Sequence, residues 1–228
     1  MVHIETVDLS QLAVTLPSDG VGMVIAQPFL TLTNIEPYRC TEQSKQQQIQ
    51  MIRDTLEVAR AVKHGLTKTH FTVFPEYSIP GLEGIALIDN ALAQIDWPIG
   101  TIVIGGIDAL TKSEFSTLAG EAGTHLDSVH NNLDRIEQYE WINCCITWVK
   151  DGNGSVSRWL QPKLAPAWPE QNIAYQSMFC GASVFMFKGT LENGTSFRFS
   201  SLICFDWIAS VNNQKIWRWV LSDLEQQA

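Results

Sequence analysis

At 228 residues, 45% of them hydrophobic, the chain can bury a substantial core, and one large domain is the simpler expectation than two small ones. Its 15 Lys+Arg against 24 Asp+Glu give a formal net charge of -9 and a pI near 4.9, so no global field draws it toward nucleic acid or an anionic membrane. The opening MVHIETVDLSQL lacks the basic start and apolar run of a signal peptide, and no apolar span of about 18 residues suggests a membrane helix.

In chain order, Val21 to Gln27 is a short apolar run opened by Asp19-Gly20 and followed by Pro28, which predicts a buried strand. Between Thr41 and His64, Ile49, Ile52, Leu56, Ala59 and Val62 recur every three or four residues, an amphipathic helix closed by Gly65. Phe71 to Phe74 is a second strand ended by Pro75, Thr101 to Ile104 a third before Gly105-Gly106, and Trp141 to Val149 a fourth containing Asn143. The segment Leu110 to Glu140 reads as part loop and part helix, the helix over Ser128 to Tyr139, and is the place for a lid, a partner surface or an ordinary solvated excursion.

Asp151-Gly-Asn-Gly154 and Glu192-Asn-Gly-Thr195 predict two hairpins, because Asn-Gly and Asp-Gly tolerate the positive φ of tight turns. The glycosylation-like triplets at Asn153 and Asn193 are better explained as those turns. The tail from Asn212 reads as a helix with Ile216, Trp217 and Val220 on one face. No repeat, low-complexity tract or linker divides residues 1–228, and the order of elements predicts a layered α/β fold with a mixed sheet.

Five cysteines, Cys40, Cys144, Cys145, Cys180 and Cys204, form no C-x-x-C, which favours free thiols in a cytoplasmic protein over disulfides or a structural zinc. His125 and His130 are five apart and do not share a helical face, so no metal site is expected.

Three polar residues interrupt apolar runs: Glu76 after Phe71-Thr-Val-Phe-Pro75, Lys163 after Arg158-Trp-Leu-Gln-Pro162, and Cys204 after Phe197 to Ile203. Each alone is ordinary: a cysteine at a strand end is usually a buried hydrophobe, and a single Glu or Lys decorates the surface. Together they supply a nucleophile, a proton acceptor and a cation able to stabilise a thiolate or an oxyanion.

Phe74-Pro-Glu-Tyr-Ser-Ile-Pro-Gly81, Pro162-Lys-Leu164 with Glu170 seven residues after the Lys, and Leu202-Ile-Cys-Phe-Asp206 resemble, in the same order, the three motif regions of the nitrilase superfamily of carbon–nitrogen hydrolases. The similarity runs from about Gly22 to Asp206 and includes Asn143. It implies a four-layer α-β-β-α sandwich that associates into homo-oligomers. It also implies Glu76 as general base, Lys163 as the oxyanion-stabilising cation, Cys204 as nucleophile and Glu170 as a supporting glutamate. Lys163 and Glu76 would favour Cys204 as a thiolate, a backbone N–H such as that of Phe205 would help hold the oxyanion, and no metal or organic cofactor is needed.

Two departures stand out. After the cysteine motif the chain reads Asp206-Trp-Ile-Ala-Ser210 where many relatives carry a Phe-Pro-Glu run, and it stops 24 residues beyond Cys204 (228 minus 204) where relatives continue. The expectation is a fragment of a longer protein, or a shortened variant whose sheet edge a fused or associated partner covers. Phe205, Trp168 and Trp207 are candidate substrate contacts, as is Trp159, although packing is the commoner role of Trp. Cys-Phe-Asp is closer to amidase-like branches, so a small amide or carbamoyl substrate ranks before a nitrile. The competing expectation is a catalytically silent nitrilase-like domain used for binding or assembly.

Overall fold

The computed structural model describes residues 2–61, 67–170, 177–207, 209–211 and 214–226. A mixed sheet is built from β3 (Met23–Ile25), β4 (Phe71–Ile79), β5 (Thr101–Thr111), β7 (Glu140–Lys150), β8 (Val156–Pro162) and β6 (Thr124–His125), hydrogen-bonded in that order, with β9 (Ser177–Met178) beside β7. A smaller sheet pairs β1 (His3–Asp8) in parallel with β10 (Ser183–Leu191), which also takes β11 (Ser196–Ser200) antiparallel and β2 (Thr15–Leu16) parallel. Four α-helices complete the described fold: α1 (Glu42–Arg60), α2 (Gly81–Leu92), α3 (Lys112–Ala119) and α4 (Ile216–Gln226), the last preceded by a short hairpin of β12 (Ser210–Val211) and β13 (Gln214–Lys215).

Alternation along the strands assigns the faces. On β7, Cys144, Ile146 and Trp148 join Ile52 and Leu56 of α1 and Ile85 and Ile88 of α2 in the largest core. Val149 points the opposite way and packs with Phe71, Ile102 and Trp159 against Phe185 and Phe187 of β10, a second core between the two sheets. With both faces covered, β7 from Trp141 to Val149 reads as an unbroken apolar run except at Asn143 and Thr147. Val184 and Met186, on the other face of β10, pack with Ile216 and Val220 of α4.

The Thr41 side chain caps α1 by accepting from Ser44 N, and His64 and Gly65, where the sequence closes this helix, lie outside the described residues. Both hairpin predictions coincide with antiparallel pairs, β7 with β8 and β10 with β11. The strand expected at Val21 to Gln27 is an edge strand rather than a buried one, since Met23 and Ile25 are 45% and 59% exposed. No helix covers Ser128 to Tyr139 beyond a 3-10 turn at Leu133–Arg135. There the side chains of Asp127 and Asn132 accept from backbone N–H groups of His130 and Asp134, offering the chain an alternative to helical bonds. The helix of this excursion is instead α3, opened by a capping box between Thr111 and Glu114.

Pro75 does not end β4. The strand runs on to Ile79 through an irregularity in which Phe74 pairs with Gly105 and Ile79 with Ile107, so residues 75–78 loop out against a single residue, Gly106. A Cβ on Gly106 would stand 2.4 Å from Glu76 Cα, so only glycine lets the two backbones approach this closely. Tyr77 takes φ +61 within the irregularity. Among the described residues no helix is long and apolar enough to cross a membrane.

Candidate active site

The excursion in β4 carries Glu76 to the end of the inter-sheet space, opposite Asn143 on β7 and Lys163 just after β8. Lys163, with a side chain 1% exposed, donates from Nζ to Glu76 Oε1 at 2.7 Å and to Glu170 Oε2 at 2.6 Å. Asn143 Nδ2 donates to the same two carboxylates, at 2.7 Å to Glu76 Oε1 and 3.0 Å to Glu170 Oε1. Its own backbone C=O accepts from Lys163 N at 2.8 Å, so the strand pair fixes ammonium and amide together. Glu170 is held further by the Tyr77 hydroxyl and by Ala167 N at 2.6 Å. Burial, the largest influence on Lys163, favours its neutral form, but the two carboxylates outweigh it and raise the pKa above that of an ordinary lysine. The cation is therefore locked as a cation between two acids.

Cys204 opens a 3-10 turn, Cys204–Trp207, at φ +44, four residues beyond the end of β11. The strand expected to run to Ile203 stops at Ser200, and the thiol stands on a strained turn rather than on a strand terminus. It shares with Glu76 a cavity of about 350 Å³ whose walls include Val73, Pro75, Ile104, Cys145 and Leu202. The thiol shares that cavity with the Glu76 carboxylate, and its pKa is raised, first by desolvation and then by the Glu76 charge, with Lys163 opposing. This corrects the expectation of a preformed thiolate: two carboxylates surround one ammonium, and the acid nearest the sulfur disfavours a second negative charge there.

Asp206, quoted within the cysteine motif but given no role by the sequence, is fully buried. Its carboxyl accepts from Leu164 N at 3.1 Å through either oxygen and from Ala165 N at 2.9 Å, tying the turn that bears Cys204 to the segment just after Lys163. Burial pushes its pKa up to about 7. The only hint in the sequence is an acid set inside an apolar and aromatic run.

The remaining candidates stand apart from this cluster. Trp168 is 77% exposed, and Trp207, 52% exposed, has its ring 6.2 Å from that of Trp217; neither belongs to the cavity wall. Trp159 packs in the core between the sheets, and the side chain of Phe205 lies outside the described residues. Glu76, Lys163, Glu170 and Cys204 do come together, from positions spread over 128 residues of sequence (204 minus 76).

The arrangement offers a thiol and a proton acceptor at one cavity, and a buried ammonium bonded to that acceptor. No family model matches the chain, and no curated protein matches it by sequence.

Proposed function

We propose that the chain is a carbon–nitrogen hydrolase of the nitrilase type, acting on a small non-peptide amide or carbamoyl compound through a cysteine thioester. The observation that carries this reading is the Lys163 ammonium bridging Glu76 and Glu170 while Cys204 and Glu76 line one cavity. The packing of α1 and α2 on one sheet and of α4 on the other agrees with the four-layer sandwich that the motif resemblance implies.

Glu76 takes the thiol proton as sulfur attacks the amide carbon, so a thiolate exists only as the new C–S bond forms. Negative charge moves to the substrate oxygen. An ammonium has three N–H donors, and two on Lys163 are engaged by carboxylates, which leaves the third to hold that oxygen. Collapse of the tetrahedral species breaks the C–N bond, and Glu76 returns its proton to the departing amine. Glu76 then deprotonates water, hydroxide attacks the thioester, and the sulfur leaves and regains its proton as the acid is released. Glu170 and Asn143 hold Lys163 and Glu76 in register and exchange no proton. No metal or organic cofactor takes part in this sequence. The cavity of about 350 Å³ matches a small substrate.

All five cysteines are unpaired, which supports a reducing, cytoplasmic setting. Association into a homo-oligomer, and cover for the smaller sheet by a fused or separate partner, belong to the same reading. The test pairs ammonia release from a panel of short amides with labelling by an amide-mimicking electrophile whose carbonyl oxygen can accept from Lys163. Turnover abolished in Cys204→Ala and Glu76→Gln, with labelling of Cys204 faster than of an exposed control thiol, is the expected result. Labelling no faster than the control, with activity intact in Cys204→Ala, sinks the proposal and leaves the silent binding domain.

A further inference from the structure

Away from the cavity, β1 brings an N-terminal histidine beside the excursion that follows β6. The donor atoms of His3, Asp127 and His130 all lie within 4.8 Å of one another. The two imidazoles are exposed and stacked, with centroids 3.9 Å apart, while Asp127 is only 7% exposed. We propose that His3, Asp127 and His130 form a surface binding site for a divalent transition-metal ion, Zn2+ by its preference for imidazole and carboxylate ligands.

Three observations carry this beyond a chance grouping. The first is chemical: two neutral imidazoles and one carboxylate are a complete three-ligand set for Zn2+, with a fourth position left to water or to Glu5. Glu5 lies two residues along β1 from His3, hence on the same face, and its carboxyl feels the charges of Asp127, His3 and His130.

The second is preorganisation. His3 N donates to Ala182 O at 2.9 Å, Ala182 N donates to Asn131 Oδ1 at 2.8 Å, and Asn131 Nδ2 donates to Ser183 Oγ at 2.7 Å. Asn131 N donates in turn to Asp127 O at 2.8 Å, closing a frame in which His3 pairs in register with Ser183. The backbone bearing all three ligands is thus fixed by the pairing of β1 with β10, and only the exposed rings have to turn to bring nitrogens to the roughly 2.0–2.1 Å of a Zn–N bond.

The third is that the nearly buried Asp127 already orients a ligand. Its Oδ1 accepts from His130 N at 3.2 Å and its Oδ2 lies 2.8 Å from His130 Nδ1. His130 Nδ1 and the Asp127 carboxylate thus already converge, and an ion held between them would take the place of the proton they share. Sequence spacing gave no sign of this pair: the partner of His130 is 127 residues away (130 minus 3) and meets it only through sheet pairing, while His125 stacks on Trp159.

The site is independent of the active-site reading, and its test needs no substrate. Calorimetric titration of the full chain with Zn2+ should show one ion bound, with affinity reduced at least tenfold in His3→Ala and in His130→Ala. Both rings are exposed, so both variants should keep the parent circular dichroism and melting temperature. Binding should be undiminished in Cys180→Ser and Cys204→Ala, the two exposed thiols, and Co2+ in place of Zn2+ should give a visible spectrum without a thiolate charge-transfer band. No Zn2+ binding by the parent chain, binding undiminished in both histidine variants, or loss of binding only in the cysteine variants overturns the proposal.

Discussion

The Asp206 carboxyl accepts the backbone N–H of Leu164 at 3.1 Å, joining the turn that bears Cys204 to the residue directly after Lys163. Asp206→Asn replaces one accepting oxygen with an NH2 group that faces N–H donors. The expected cost is about 1–3 kcal/mol, the penalty of unsatisfied buried donors. Substrate turnover should fall with it, because Cys204 and Lys163 lose their common tether.

The same residue gives a pH dependence. Asp206 keeps its proton in the fold up to about pH 7, whereas an unfolded aspartic acid loses it near its ordinary value of 3.8. Between those values the folded state binds the extra proton, so this contribution to stability is full below about pH 4 and is lost as pH rises through 7. Chemical denaturation at pH 4.5, 5.5, 6.5 and 7.5 should show Asp206→Asn less sensitive to pH over this window than the parent chain. Parallel profiles would remove Asp206 as the group responsible.

Lys163 lies between two carboxylates in a nearly dry setting, so its removal leaves Glu76 and Glu170 without their counter-charge. Lys163→Met should destabilise by about 3–5 kcal/mol in urea unfolding, the typical cost of breaking a buried pair from one side. Adding Glu76→Gln and Glu170→Gln should recover a large part of that loss while activity stays absent. A triple variant no more stable than the single one would mean that packing, and not charge, dominates at this position.

The candidate site residues were legible because each breaks an apolar run: Glu76 beyond Phe74-Pro75, Lys163 beyond Leu160, Cys204 beyond Ile203. What holds those side chains in place was not. Asp206 ties to Leu164 and Ala165 across more than forty residues, and Asn143 serves two carboxylates that are themselves far apart in the chain. Such ties are made by polar atoms meeting across strands and leave no periodic trace. Helix α2 opens at Gly81, with φ +46, directly after Pro80, so punctuation that reads as a turn marks its start. The helix read over Ser128 to Tyr139 failed for the converse reason, since Asp127 and Asn132 bind nearby backbone and divert it.

Glu76→Gln separates reactivity from turnover. After desolvation, the Glu76 charge is what most raises the Cys204 pKa, so removing it should bring the thiol down toward its ordinary value. Alkylation of Cys204 by iodoacetamide at pH 7 should then accelerate, because a lower pKa raises the thiolate fraction. Hydrolysis should vanish in the same variant for want of a base. Site-resolved mass spectrometry distinguishes Cys204 from exposed Cys180. Slower alkylation in Glu76→Gln would mean that the carboxylate activates the resting thiol.

Gly106 offers the most local test of how the site is built. Any side chain there must enter the space of the Glu76 backbone, since an added Cβ would stand 2.4 Å from Glu76 Cα and 3.0 Å from Pro75 O. Neither atom belongs to a flexible side chain that can swing aside, so β4 itself has to move. Gly106→Ala should cost about 1–3 kcal/mol, the usual range for overpacking. It should also displace Glu76 from Lys163 and Asn143, lowering turnover by 100-fold or so, as a misplacement near 1 Å does. The neighbouring Gly105→Ala is the control: the closest atom there is Ile79 Cδ1, the end of a rotatable side chain, and Glu76 is not among the nearest contacts. Gly105→Ala should therefore lose stability with a smaller loss of activity, and equal losses of activity in the two variants would count against the approach at Gly106 as what positions the base.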